Sequence, residues 1–279
     1  MNDNYAFKIG NKLYDLSSRT FVMGVLNVTP DSFSDGGKYF KLEDAVARAK
    51  QIESEGADFI DVGGQSTRPG SEEISLDEEM NRVIPVIEAI SKAINIPISV
   101  DTYRSSVADE ACKKGATIVN DISGFNMDEN MTKIIAFHKA TAIAMHMKGS
   151  PKTMQENPSY ENVVDEVKSF FENAAWKSQV QGIEQLILDP GIGFGKTFEH
   201  NLALIKNLQS LKKLDCPVMI GVSRKSLINK IYEADVNDRL EGTIALNSIS
   251  IMNGANIIRV HDVKAGVRTA KILDAYKKV

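Results

Sequence analysis

The sequence predicts an α/β fold: a (β/α)8 TIM barrel with a short N-terminal β-hairpin closing the bottom. Three observations carry this. Short β-branched runs alternate strictly with amphipathic helical stretches, there are eight of each, and 279 residues at 43% hydrophobic suffice for one large core. Strict alternation favours a parallel sheet, and eight units favour closure over a doubly wound open sheet. Residues 1–279 read as one domain, with no linker, low-complexity stretch or repeat beyond the βα unit.

Strands are expected at Phe21–Leu26, Phe59–Val62, Ile98–Val100, Ile118–Val119, Thr141–Met145, Leu186–Leu188, Val218–Ile220 and Ile257–Val260. Helices are expected at Lys41–Glu55, Leu76–Ala93, Ser105–Lys114, Met131–His138, Val163–Gln181, Phe198–Leu211, Leu240–Met252 and Lys264–Lys278, where apolar residues recur at helical spacing with charges opposite. Ahead of them Tyr5, Phe7, Ile9 and Leu13 alternate around Gly10-Asn11, the pattern of a hairpin that plugs the barrel.

A net charge of −4 argues against a general nucleic-acid surface. With no basic leader and no run of ~18 apolar residues, a soluble cytoplasmic protein without a membrane partner is expected. Cys112 and Cys216 lie far apart without a CxxC partner and read as free buried thiols. His138, His146, His200 and His261 show no zinc spacing, and His138 and His200 read as helix-surface residues.

In such a barrel, polar residues that follow strands read as chemistry. The first strand runs into Asn27–Gly37 and the second into Asp61–Gly70, two loops of glycines, prolines and hydroxyls expected to act as mobile lids. The third, fourth and sixth strands end in Asp101-Thr102, Asn120-Asp121 and Asp189, and a mouth this polar needs a polar ligand. A flat heterocycle with an amino-pyrimidinone edge would match them; capping of the next helix is the other reading for Asp101 or Asp121. Pro190–Thr197 fits neither a phosphate-binding P-loop nor a dinucleotide fingerprint, so its glycines read as a close backbone approach to a flat ligand, with Phe194 as an aromatic face and Lys196-Thr197 opening the next helix. Ser223–Ser226 sets two cations at a helix start, and Arg259 and His261 share a face of the eighth strand, which suggests a pyrophosphate pocket; Arg259 paired with a barrel carboxylate is the alternative. Mg²⁺, which prefers oxygen ligands and rides on substrate phosphates, is the expected cofactor, with Asn27 supplying one oxygen.

Eight segments, Asn27–Gly37, Gly63–Gly70, Ser99–Thr102, Asn120–Ile122, Met145–Gly149, Asp189–Gly191, Gly221–Ser226 and Arg259–Asp262, resemble in order and spacing the motifs of bacterial dihydropteroate synthases. That family condenses 6-hydroxymethyl-7,8-dihydropterin pyrophosphate with p-aminobenzoate, giving 7,8-dihydropteroate and pyrophosphate in folate biosynthesis. The resemblance implies that Asp101, Asn120, Asp189 and Lys225 hold the pterin, packed by Ile122, Met145, Phe194 and Arg259. It places the pyrophosphate against Asn27, Arg68, Arg259 and His261, with Mg²⁺ on Asn27. The p-aminobenzoate ring would lie between Phe33 and Pro69, its carboxylate toward Lys225 and Ser226, with Thr67 and Arg68 ordering the lids. Asp35, Asp101 and Lys225 would serve the reaction, and sulfonamides and a second copy of the chain are implied partners.

One position departs from the commonest family pattern: Gln65 stands where the second loop often has Glu. His146 and Lys148 match the family without a role that the sequence assigns. Pyrophosphate is a good leaving group and a reduced pterin can stabilise a cation at its exocyclic carbon, so dissociation before amine attack is the expected order. A methyltetrahydrofolate methyltransferase would have no use for Thr29–Gly37 or Arg259–His261, and a non-catalytic pterin-binding homologue should show gaps among the mouth residues, where Gln65 is the candidate.

Overall fold

The computed structural model describes residues 5–29, 42–66 and 71–279. Chain order begins with a hairpin, β1 (Ala6–Ile9) and β2 (Lys12–Asp15), and continues through β3 (Phe21–Asn27), α1 (Leu42–Ser54), β4 (Phe59–Gly63), α2 (Leu76–Ile90), β5 (Ile98–Asp101), α3 (Ser105–Lys113), β6 (Ala116–Asp121), α4 (Met131–His138), β7 (Thr141–Met145) and α5 (Val163–Gln181). It ends with β8 (Leu186–Asp189), α6 (Phe198–Lys206), β9 (Met219–Ile220), α7 (Ser226–Asn229), α8 (Leu240–Met252), β10 (Ile257–Val260) and α9 (Val263–Tyr276). Strands β3 to β10 form one parallel sheet of eight, ordered β8-β7-β6-β5-β4-β3-β10-β9. A bridge between Leu188 and Val218 brings β8 against β9 and completes the ring.

Two helices differ from the sequence expectation. The stretch expected as one helix over Phe198–Leu211 is α6 followed by a 3-10 turn over Leu208–Leu214. At the break, the Asn207 amide donates to the Ala203 carbonyl at 2.8 Å, the local side-chain competition for backbone partners that disfavours Asn inside helices. The helix start expected at Ser223–Ser226 is the four-residue α7, which is too short to show periodicity and is not among the eight expected helices.

Period-two alternation sorts the strand residues. Outward positions such as Val22, Ile60, Val100, Val119, Ala142 and Ile258 join the helices in the main core. Inward positions at the strand starts, including Phe21, Phe59, Ile118, Ile143, Ile187 and Ile257, form a second core with Tyr5, Phe7, Ile9 and Leu16 of the N-terminal segment. The hairpin therefore does close the bottom. Its register corrects one detail: Phe7 pairs with Tyr14 on the inner face, while Lys8 pairs with Leu13, which is exposed. Gly10 sits at φ +59° in the turn, where a side chain would strain the backbone.

The apolar floor leaves the upper, inward-facing positions for polar residues. Phe59 is central to the seal, with its ring 5.9 Å from Phe21 and 5.2 Å from Tyr14. Phe59→Ala should lower unfolding free energy by roughly 3–5 kcal/mol in chemical denaturation, the usual cost of an aromatic cavity; a loss under about 1 kcal/mol would mean the floor collapses around the gap.

Candidate active site

Above the apolar floor, alternation turns Asp61 on β4, Ser99 and Asp101 on β5, Asn120 on β6, Asp189 on β8 and Arg259 on β10 into the barrel mouth. Arg259 lies across it: Nε donates to Asp61 Oδ2 at 2.6 Å and Nη2 to Asp101 Oδ2 at 2.8 Å. The alternative reading of Arg259, pairing with barrel carboxylates, thus holds in this ligand-free arrangement. The Asn120 amide also donates to Asp61 Oδ2, at 3.0 Å.

Burial, reinforced by the nearby Asp61 and only partly offset by Arg259, pushes the Asp101 carboxyl up to about 7. Burial likewise raises Asp189, against the pull of Lys225 and Arg259. Asp121 is raised to about 6 by burial, but it faces away from the mouth: it accepts from the Ser123 hydroxyl and the Ser123 and Phe125 amides, holding the turn after β6 rather than capping α4, whose N-cap is Asn130.

An apolar slot adjoins these groups. Ile122, Met145, Met154 and Phe194 cluster, with Tyr103 and Met147 against them. Lys225 Nζ stands 4.2 Å from the Phe194 ring centroid, a cation–π contact. Burial, then Arg259, lowers Lys225 to about 8. Its neighbour Arg224 has left-handed φ of 57°, a strained setting for a side chain. The strain is held by a bidentate pair with Asp262 at 2.9 and 2.6 Å and by Arg239 donating to the Arg224 carbonyl at 3.0 Å. Asp262 is thus the anion that compensates Arg224, and Lys225 is the cation that this turn offers to the mouth. Ser226 is exposed and opens α7.

The side of the mouth at Asn27 and His261 is less cationic than the sequence suggests. Burial, then Arg259, Arg224 and Lys225, depress His261 to about 3, so it is a neutral hydrogen-bonding group, with Nδ1 3.1 Å from Ser223 Oγ. A cavity of about 960 Å³ flanks this side and is lined by Asn27, Arg48, Arg224 and His261 among others. Asp61, Asp101, Asn120 and Asp189 do not line it; most of its wall comes from α1, α8 and α9. Phe33, Asp35, Thr67, Arg68 and Pro69 lie outside the described residues.

Residues 23–261 match the family described as pterin binding enzyme. The dihydropteroate synthase of Synechocystis sp. is 47% identical over 270 residues, covering 96% of this chain and 93% of that one. The chain belongs to the dihydropteroate synthase family. Among solved structures, the Yersinia pestis dihydropteroate synthase with a sulfonamide drug complex superposes with a TM-score of 0.93 at 39% identity, covering 98% of this chain and all of that one. The Xanthomonas albilineans dihydropteroate synthase with 4-aminobenzoic acid gives 0.92 at 36% identity and 99% coverage of both.

Sequence reasoning gave no role to Asp61, Lys196 or His146. Asp61 could have been found by stepping two residues at a time along its strand, but the loop that follows drew attention to itself. Lys196 was assigned to a helix start; its Nζ instead turns inward and is 2% exposed as a residue. It meets the carbonyls of Phe194, Gly191 and His146 at 2.9, 3.0 and 3.2 Å, and His146 Nδ1 at 2.8 Å. Burial lowers Lys196 well below the ordinary lysine range and His146 to about 2. The Lys196 amine donates to the loop carbonyls and shares a hydrogen bond with His146 Nδ1. Gln155 and Tyr160 add bonds to the Gly193 and Gly195 carbonyls at 2.6 and 2.7 Å. The loops after β7 and β8 are thereby pinned together, and Gly191 and Gly195 lie so close to the His146 and Lys148 carbonyls that no Cβ fits. Thr197 then caps α6 in a reciprocal box with His200.

Two outcomes follow. Lys196→Met should cost roughly 2–4 kcal/mol in denaturant unfolding, because buried carbonyls lose their donor, and should weaken pterin binding by misplacing Phe194. Because a pterin N–H needs ionised Asp101 and its carboxyl titrates at about 7, the affinity of the free protein for a pterin should fall roughly tenfold as pH drops from about 8 to 6. A flat calorimetric profile over that range would exclude Asp101 as the acceptor.

Proposed function

We propose that the chain condenses 6-hydroxymethyl-7,8-dihydropterin pyrophosphate with p-aminobenzoate, releasing 7,8-dihydropteroate and pyrophosphate, as a cytoplasmic transferase of folate biosynthesis. The observation that carries this reading is the floor of inward acceptors, Asp101, Asn120 and Asp189, beside the Ile122–Met145–Phe194 slot. Such a floor suits the amino-pyrimidinone edge of a pterin, and the slot suits its flat face. The ligands in the Yersinia and Xanthomonas structures, a sulfonamide and 4-aminobenzoic acid, support the second substrate and its mimic.

In this reading Lys225 lies over Phe194 at the ring's edge and, together with Ser226, Thr67 and Arg68, takes the p-aminobenzoate carboxylate. Phe33 and Pro69 flank its ring. Asn27, Arg68, Arg259 and His261 receive the pyrophosphate, for which Arg259 must exchange a carboxylate for a phosphate oxygen. No group of three or more His, Cys, Asp or Glu suited to a metal occurs among the described residues. Mg²⁺ would be carried on the pyrophosphate, with the Asn27 amide oxygen as the group that would hold it. When bound, that ion supplies charge neutralisation of the leaving group.

The C–O bond between the exocyclic carbon and pyrophosphate breaks first, its electron pair leaving with the phosphate held by Arg259. Asp101 and Asp35 stabilise the resulting pterin cation. The neutral arylamine nitrogen then forms the C–N bond, and its proton leaves to water or to the released pyrophosphate; no strong general base is required. Apolar side chains exposed on α8 and α9, including Ile249, Met252 and Ile272, favour a homodimer through these helices. Among the described residues no helix is long and apolar enough to cross a membrane.

The test is pyrophosphate release with Mg²⁺ and the pterin pyrophosphate, with and without p-aminobenzoate. Release that depends on p-aminobenzoate and equals dihydropteroate formed supports the reading; pterin binding without product would favour a non-catalytic homologue. Asp101→Asn should lose pterin affinity and turnover together, by about 100-fold or more in kcat/KM, and unchanged kinetics would remove Asp101 from the site.

A further inference from the structure

Asp61 is fully buried yet takes no part in the assignments above. We propose that Asp61 fixes the hydrogen-bond polarity of the barrel floor. By holding the Asn120 amide nitrogen it leaves Asn120 Oδ1 as an acceptor, so the site admits a heterocycle edge built of N–H donors and rejects one in which the amino group is replaced by oxygen. This deepens the pterin reading and rests on it.

The argument starts from the symmetry of a carboxamide, whose nitrogen and oxygen ends have nearly the same shape, so that only the partner decides which way it faces. Asp61 Oδ2 accepts at once from Arg259 Nε at 2.6 Å and from Asn120 Nδ2 at 3.0 Å. A carboxylate oxygen already taken by a guanidinium can receive only another donor, so Nδ2 must face Asp61 and Oδ1 is turned to the other side. Asn120 Oδ1 is buried there without a hydrogen-bond partner, as are Asp61 Oδ1 and Ser99 Oγ. Orphaned buried acceptors are costly, about 1–3 kcal/mol each, and rare in folded proteins. Two orphaned acceptors, Asp61 Oδ1 and Asn120 Oδ1, with the Ser99 hydroxyl that can donate or accept, lie on neighbouring inward positions beside Asp101 and Asp189 and mark a surface that favours donors from a ligand. Were Asn120 free to turn, its amide would offer N–H to an oxo group as readily as its oxygen offers a lone pair to an amino group, and the floor would not discriminate. Asp61 contacts Asn120 and Arg259, so its part is positioning.

The test uses calorimetric titration of the full chain with two probes, 6-hydroxymethyl-7,8-dihydropterin and the matching 7,8-dihydrolumazine, which carries oxygen at position 2 in place of the amino group. The wild-type chain should prefer the pterin by roughly 100-fold, the penalty for presenting lone pairs to lone pairs in a buried site. Asp61→Ala, which removes the oxygen that holds Asn120 Nδ2, should reduce the preference below about tenfold. Asp61→Asn should keep most of it, because its carbonyl oxygen, held by the Arg259 Nε–H, still accepts from Asn120 Nδ2. The Asn variant keeps the shape and the shared oxygen, so it serves where the Ala variant fails to fold, with retained preference supporting the proposal and lost preference overturning it. An unchanged preference in Asp61→Ala, or a loss in Asp61→Asn, overturns the role of Asp61. Binding of both probes equally by the wild type overturns the proposal alone, whereas binding of neither overturns the pterin reading beneath it.

Discussion

The guanidinium of Arg259 lying between Asp61 and Asp101 is the contact on which the upper half of the barrel depends. Three carboxylates, Asp61, Asp101 and Asp189, converge with two cations, Arg259 and Lys225, above a sealed apolar floor. Charges removed from water this way are tolerated only when paired and hydrogen-bonded. Arg259 meets two of them at once, at 2.6 and 2.8 Å, and so keeps the strands β4, β5 and β10 in mutual register at the mouth. The arrangement is also provisional. A ligand that brings its own donors to the carboxylates and its own anion to Arg259 replaces each of these partners rather than removing it. The ligand-free state is therefore built from the same groups that would bind substrate.

Strands and loops divide the work differently from what the sequence suggests. The strands present the inward polar groups of the mouth, and short-range alternation alone determines them. Met145 at the end of β7 and Met154 and Phe194 in the loops after β7 and β8 form the apolar slot, and these loops need a second level of support because glycine-rich backbone does not hold its own shape. The buried Lys196 amine and His146 provide it, with Tyr160 and Gln155 reinforcing. Arg224 plays the corresponding part after β9: its strained backbone is fixed from Asp262 and Arg239, and the benefit is the placement of Lys225.

Much of this was legible in the sequence because the barrel repeats one rule eight times. The strand cores from Phe21 to Val260 and the helices Met131–His138, Val163–Gln181 and Leu240–Met252 follow from periodicity, and polar residues after strands mark the functional end. Asp101, Asn120, Asp189 and Arg259 were found because they stand where apolar residues would otherwise be. What periodicity could not supply were partners distant in sequence. Asp61 and Arg259 are 198 positions apart, and Lys196 and His146 are 50 apart. The neutral state of His261 was hidden for the same reason, since it depends on three cations and on burial that only the folded chain assembles. The break at Asn207 and the short α7 reflect side-chain and turn chemistry too local to leave a periodic trace.

The ring of strands is not equally fastened all the way round. Between β8 and β9 the ladder is reduced to the Leu188–Val218 bridge with its Leu188 N–H to Pro217 carbonyl bond of 3.0 Å, whereas β3 and β4 pair over five residues. β9 itself has two residues, and Asn256 helps tether its approach by accepting from the Val218 amide while its own amide donates to the Leu16 carbonyl. A cylinder breathes first where its wall has fewest bonds, so amide exchange should be fastest at this seam. Asp189 stands at the end of one bank of the seam and Lys225 beyond the end of the other. Small openings there change the spacing of this carboxylate and this ammonium before they disturb any other pair in the mouth, which leaves that side of the site the more compliant and the Asp61–Asp101 side the stiffer.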